Sequence, residues 1–282
     1  MHRSTKYCST FFSPGVIIII NLLPEIISLT KQASEEILKF YHSDTTSLDV
    51  QHKDDNTPLT AADLAAHNTI LNGLTRLTPN IPVLSEEDAN TPYDQRKNWG
   101  KYWLVDPLDG TREFIKRNGE FTVNIALIED QKPILGVIYT PVTNVCYYAA
   151  KGSGAFKLEP NSDPCAISVR KTSLKKVHVG GSRSHLDSSL NNFLHNIANY
   201  ELTKMGSSLK SCLVAEGKLD IYPRLGPTSE WDTAAAQCIV EEAGGFITTT
   251  DMKPLRYNTK ESLLNPHFLV FGDDSIHWPS YI

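Results

Sequence analysis

Apolar positions along the chain change period several times, and each change predicts an element. Leu23, Ile26, Ile27, Leu29, Ala33, Ile37, Leu38 and Tyr41 recur near helical spacing, with Lys31, Glu35 and Glu36 between them. This predicts an amphipathic helix that carries Pro24 in its first turn. Leu64, Ile70, Leu71, Leu74 and Leu77 give a second helix its inner face, and Thr60 with Asp63 reads as a capping box at its start. From Phe121 the period falls to two: Phe121, Val123, Ile125 and Leu127 alternate with Thr122, Asn124 and Ala126, which predicts a strand. Residues 129–132 read as its hairpin connection and residues 134–139 and 145–149 as the next two strands. The first half is thus expected to be helices on an antiparallel meander. Gly152-Ser153-Gly154 reads as a turn, since it lacks a third glycine and precedes no helix. After it, strands (177–179, 202–205, 219–222, 246–249, 268–271) alternate with helices (187–197, 208–216, 233–243). That alternation predicts a mixed or parallel sheet covered on both faces.

Acidic residues gather where apolar runs end. Trp103-Leu104-Val105 suits a buried strand and leads into Asp106-Pro107-Leu108-Asp109-Gly110-Thr111. Pro107 is expected to stop the strand, Asp109-Gly110 to turn the chain, and Thr111 to offer a hydroxyl and a backbone N–H. Ser85-Glu86-Glu87-Asp88 follows Ile81-Pro82-Val83-Leu84, and Glu230-Trp231-Asp232 stands just ahead of the helical run Thr233-Ala234-Ala235-Ala236. Asp-Pro and Asp-Gly alone are ordinary turn dipeptides. Three acidic clusters at the ends of apolar elements are different, because carboxylates near a core are costly unless paired or metal-bound. Hard divalent cations want oxygen ligands of this kind.

In this order, Glu86-Glu87, then Asp106 to Thr111, then Trp231-Asp232-Thr233-Ala234-Ala235 resembles the signature of the inositol monophosphatase superfamily of lithium-sensitive, magnesium-dependent phosphomonoesterases. Residues 112–121, Gly206-Ser207-Ser208-Leu209-Lys210 and Val214-Ala215-Glu216-Gly217 resemble its bacterial 3′(2′),5′-bisphosphate nucleotidase branch of the sulfate-assimilation type. The likeness runs from Leu22 to Val270 and is weakest over residues 151–176. It implies a layered α-β-α-β-α sandwich, α+β in its first half and α/β in its second, with the site between two subdomains. It implies two or three Mg²⁺ ions held by Glu86, Asp106, the Leu108 carbonyl, Asp109 and Asp232, with Glu87 either supporting them or holding a weaker third ion. Thr111 and Asp55 are the implied pair that orients and deprotonates the attacking water. Gly110 and Thr111 N–H groups would hold the phosphoryl oxygens, helped by the start of a helix. The substrate would touch Glu86, Leu108, Asp109, Gly110, Thr111 and Asp232. By analogy with eukaryotic members, His185, Ser207, Lys210 and Arg224 would bind the ribose, base and 5′-phosphate. The activity implied is removal of the 3′-phosphate of adenosine 3′,5′-bisphosphate, with its phosphosulfate relative as a further candidate substrate. Inositol or sugar phosphates are the rival substrates, and a non-catalytic metal-dependent binding module is the rival class.

Composition narrows these readings further. With 282 residues, of which 40% are hydrophobic, the chain has enough apolar surface for a sizeable core. A net charge of −5 gives no basic field for a nucleic-acid polymer, so a phosphate must be met locally. Cys8, Cys146, Cys165, Cys212 and Cys238 are odd in number and scattered, as in a reduced cytoplasmic protein. The apolar run Val16–Ile20 with Leu22-Leu23 is too short to span a bilayer and would anchor only weakly to the inner membrane. Residues 1–21 therefore read as an extension of unknown role. Residues 22–160 read as the metal-binding subdomain and 161–282 as the substrate-binding one, divided at the loop 157–163.

Overall fold

The computed structural model describes residues 19–42, 50–52, 58–183 and 188–282, the segments 50–52 and 58–60 at the level of the backbone. Five layers are stacked, and the periodicity of the sequence explains each. Helix α1 (Leu23–Tyr41) buries Ile26, Leu29, Ala33 and Ile37, one side of its apolar stripe, with Pro24 in the first turn. A short antiparallel ladder, β1 (Val50–His52) with β2 (Pro58–Thr60), leads into α2 (Ala61–Leu77). The two helices form the outer layer on a seven-stranded sheet.

That sheet runs in order β3 (Val83–Ser85), β4 (Lys101–Asp109), β5 (Thr122–Glu129), β6 (Lys132–Thr140), β7 (Val145–Ala150), β8 (Ala155–Leu158), β9 (Cys165–Ile167). Only β3–β4 is parallel; the rest is an antiparallel meander. Short helices α3 (Tyr93–Arg96) and α4 (Thr111–Ile115) flank β4 in the chain. The period-two pattern separates two cores. On β4 and β5, Trp103, Val105, Val123, Ile125 and Leu127 face α1 and α2. Tyr102, Leu104, Ala126 and Ile128 face the other way, into the middle layer.

The second sheet contains β10 (Val177–Ser182), β11 (Tyr200–Met205), β12 (Ile221–Arg224), β13 (Phe246–Thr249) and β14 (Phe268–Phe271), in the order β11-β10-β12-β14-β13. It is mixed: β10 runs parallel to β11 and β12, while β14 is antiparallel to β12 and β13. Between α5 (Ser188–Ile197) on its outer face and the first sheet lie the middle-layer helices α6 (Leu209–Ala215) and α7 (Glu230–Glu242). Helix α7 packs against β5, β6 and β7 on one side and β13 on the other. Leu190, Phe193, Leu194 and Ile197 of α5 close the third core with Trp278 from a C-terminal 3₁₀ turn, Trp278–Tyr281. Among the described residues, no helix is long and apolar enough to cross a membrane.

Four expectations are corrected. Strand β4 does not stop at Pro107. Its pairing with β5 passes from Asp106↔Asn124 to Asp109↔Thr122, so the proline sits in a bulge where no ladder N–H is needed. Helix α7 starts at Glu230 rather than Thr233, so Asp232 lies inside its first turn. The division at residue 160 falls within an antiparallel pair, because β8 and β9 join across it and β9 still belongs to the first sheet. The hydrophilic stretch 90–101 reads from the sequence as a surface connection, with Arg96, Lys97 and Lys101 a solvated charge run, yet Arg96 is buried at 2% exposure. Its guanidinium donates to Asn258 Oδ1 and to the Glu261 carbonyl, partners over 160 residues away.

Candidate active site

The carboxyl end of β4 and the amino end of α7 meet at one point. Asp106 and Asp109 flank the β4 bulge, Asp232 is in the first turn of α7, and one oxygen from each lies within 4.8 Å of the others. A backbone N–H orients every one of these carboxylates. Leu108 N donates to Asp106 Oδ1 (3.1 Å), Ser208 N to Asp109 Oδ2 (2.6 Å), and Ser229 N to Asp232 Oδ2 (2.8 Å). Asp109 Oδ2 also accepts from Ser208 Oγ (2.7 Å) and from Asn124 Nδ2 (3.3 Å). Asn124 donates to Ser208 Oγ as well, at 3.0 Å, so β4, β5 and α6 are tied together at Asp109.

These groups repel one another. Burial pushes the Asp106 carboxyl well above the usual range, and the charges of Glu86, Asp109, Asp232 and Asp63 add to it. Asp232 is raised well above its ordinary value by burial, Asp109 and Glu86. Asp109 is raised by burial too, opposed by its bonds from Ser208. Crowded, oriented oxygens that are unfavourable as bare anions are the donor set a hard divalent cation requires. The residues present therefore fit a Mg²⁺-type ion. Asp63, read as a helix cap, is buried in the first turn of α2 and adds to the negative field at Asp106.

A cleft of about 430 Å³ opens over the trio. Glu86, Asp106, Leu108, Asp109, Gly110, Thr111 and Asp232 line it together with Ser207, Lys210 and Arg224. The structure thus brings these expected site residues together, while Glu87 is not among those that line the cleft; Asp55 and His185 lie outside the described residues. Gly110, with φ 98°, precedes α4, which begins at Thr111. Buried Ser207 Oγ, Arg224 Nε and Thr228 Oγ1 have no hydrogen-bond partner among the described residues. Lys210 differs from expectation. It is buried, donates from Nζ to the Ser207 carbonyl (2.6 Å) and the Met205 carbonyl (3.1 Å), and lies 5.0 Å from the centre of the Tyr222 ring. Burial pushes its amine down to about 8, against the pull of Asp109. It therefore braces the loop over residues 205–207 as well as adding positive charge. Sequence reasoning also passed over Ser208 and Asn124. The Gly-Ser-Ser run marked a helix start, but nothing local linked it to Asp109.

A model of the inositol monophosphatase family matches residues 21–270, almost the whole chain. The chain belongs to the inositol monophosphatase family. Curated relatives agree. The 3′(2′),5′-bisphosphate nucleotidase CysQ of Escherichia coli K12 is 49% identical over 251 residues, covering 88% of this chain and 99% of that protein. The Haemophilus influenzae protein of the same name is 40% identical, with coverages of 92% and 96%. Among solved structures, CysQ from Bacteroides thetaiotaomicron, a bacterial member of the inositol monophosphatase family, aligns with a TM-score of 0.77. That alignment has 40% identity over 90% of this chain and 97% of the other. The five layers are accordingly the inositol monophosphatase fold.

Proposed function

We propose that this inositol monophosphatase family member hydrolyses the 3′-phosphate of adenosine 3′,5′-bisphosphate, giving AMP and phosphate, in sulfate assimilation. The observation that carries the reading is one cleft lined by two unlike sets of groups: an oxygen-rich acidic trio, and an arginine with orphaned hydroxyls. A phosphomonoester needs only the first set. A substrate with a second anion also uses the second, where Arg224 can meet it through two N–H groups. Nucleotidase relatives at 40–49% identity over most of their length support the same substrate class.

The ligands in this reading are Glu86, Asp106, the Leu108 carbonyl, Asp109 and Asp232. Mg²⁺ bound by them, two or three ions in all, supplies charge neutralisation at the phosphoryl group and a lowered pKa for coordinated water. The chain's own residues do the rest. Ser208, Asn124 and the Leu108 and Ser229 amides fix the directions of the acidic side chains. Thr111 and Asp55 orient the attacking water and take its proton. Gly110 and Thr111 N–H groups hold the phosphoryl oxygens. A new bond forms from the water oxygen to phosphorus as the bond to the ribose 3′-oxygen breaks, and that oxygen leaves with a proton. Lithium inhibition and a cytoplasmic location belong to the same proposal.

The test is phosphate release from adenosine 3′,5′-bisphosphate and from inositol 1-phosphate, side by side, with and without Mg²⁺. We expect Mg²⁺-dependent turnover of the nucleotide, lost by a factor of about 100 to 1,000 in Asp109→Asn, the scale of removing a group that holds transition-state charge. Preference for the inositol ester would keep the metal centre and reject the roles of Ser207 and Arg224. No turnover of either ester, with Mg²⁺ still bound, would favour a binding module.

A further inference from the structure

The wall that carries Ser207 and Lys210 belongs to the second half of the chain, and its position over the trio must be set by something. Its amides are claimed from the first half at two points only two residues apart. Ser208 N donates to Asp109, and Gly206 N donates to Glu120 Oε2 at 2.8 Å. Between them Ser207 has a left-handed backbone, φ 47°, which a residue with a side chain holds only under restraint. Gly206 cannot be replaced in this arrangement. A Cβ there would stand 2.5 Å from Glu113 Cγ and 2.6 Å from the Glu120 carbonyl oxygen.

Glu120 is itself gripped. It lies in the connection between α4 and β5, where its N–H donates to Asn118 Oδ1. Arg183, just beyond the end of β10, donates to it through Nε (2.7 Å) and Nη2 (2.6 Å) in a two-pronged pair. Nη2 also donates to the Lys204 carbonyl (2.9 Å), and Arg183 N to the Met205 carbonyl (3.3 Å). One carboxylate from the first half therefore fastens the carboxyl ends of β10 and β11, the two strands that feed the cleft wall. At 43% exposure for Arg183 and 17% for Glu120, the pair adds little to stability, but its planar geometry fixes direction.

We propose that Glu120 and Arg183 form a latch between the two halves that holds the 205–208 wall in register with the acidic trio, making both positioning residues for substrates that carry a second anion. The choice of substrate rests on the nucleotidase reading; the latch itself does not. Arg183 is thereby assigned to the latch and not to the substrate, because its Nε and Nη2 already face Glu120 and Lys204.

The test uses full-length Glu120→Gln, Arg183→Met and Arg183→Lys at saturating Mg²⁺. KM and kcat are measured on adenosine 3′,5′-bisphosphate and on p-nitrophenyl phosphate, which has no second anion. Misplacing a binding wall predicts a KM for the nucleotide raised about tenfold in both Glu120→Gln and Arg183→Met, with kcat within about twofold and the nitrophenyl ester little changed. Arg183→Lys, which keeps the charge and one donor, should recover part of the loss. If Arg183→Met raises KM while Glu120→Gln leaves it alone or lowers it, Arg183 holds the substrate directly and the latch is overturned. Unchanged KM in both also overturns it. Backbone amide hydrogen exchange over residues 205–208 is the second readout, independent of any substrate. Faster exchange in both variants supports the latch even if the nucleotide proves not to be turned over, whereas unchanged exchange rejects it.

Discussion

Asp109 is aimed by a serine at the start of α6. Two of the three bonds on Asp109 Oδ2 come from Ser208, and the third comes from Asn124, which also bonds Ser208. Ser208→Ala removes the hydroxyl and keeps the amide, so the carboxylate loses one anchor and Asn124 one partner. We expect Mg²⁺ affinity to fall about 10- to 100-fold, the usual effect of losing a group that orients a ligand, with the fold intact; calorimetric titration with Mg²⁺ measures it. Glu230 gives a pH signature. Burial pushes its carboxyl up to about 7 from 4.5, opposed by the Asn258 N–H. Between those values the folded protein binds this proton more tightly than the unfolded chain. The stabilisation from Glu230 is therefore complete below about 4.5 and is lost as pH rises to about 7. Glu230→Gln carries no such slope. Relative to wild type it should gain stability between pH 5 and pH 8 in urea denaturation at saturating Mg²⁺, and an equal difference at both pH values would refute this. At this scale the sequence revealed Asp106, Asp109 and Asp232, because acidic residues at the ends of apolar runs form a local pattern. Ser208 and Arg96 stayed hidden, since their partners stand 99 and 162 residues away and no periodicity records such pairs.

At the scale of elements, the decisive contact is α7 on the first sheet. Gly136 of β6 faces it so closely that a Cβ would stand 2.3 Å from the Ala235 carbonyl oxygen. The obstacle is helix backbone, so the helix must move as a body. Gly136→Ala should destabilise the protein by about 1–3 kcal/mol, as overpacking does, and should also weaken Mg²⁺ binding, because Asp232 travels with α7. Denaturant midpoints and Mg²⁺ titration report the two effects; loss of stability with unchanged metal affinity would refute the coupling. Most elements were legible from period alone: α1, the β5–β7 meander and α5 stand where the apolar spacing indicated. The bulge at Pro107 was not, because a proline reads as a stop unless its own strand carries an extra, unpaired residue there. The early start of α7 was not, because Glu230-Trp231-Asp232 has no apolar periodicity and its first turn is fixed by the bond between Asp232 and Ser229 N–H.

At the scale of the molecule, the layering was legible as two styles of alternation, whereas the stacking of one sheet on the other was not. That stacking is what completes the site. β4 brings two acids from the first sheet, and α7, which belongs to the second half of the chain, brings the third while burying itself against the first sheet. A protease site engineered into the exposed stretch 173–176 and cut after folding should leave the two pieces associated and able to bind Mg²⁺. Stripping the metal with a chelator should then speed their separation, since an ion that binds only the joined form holds it together by mass action. Equal separation rates with and without metal would refute this. The shared middle layer makes the site a checkpoint on the chain's own construction. A chain whose halves have folded but not docked keeps Asp106 and Asp109 on one piece and Asp232 on the other, so the complete trio exists only once the last step of assembly is done.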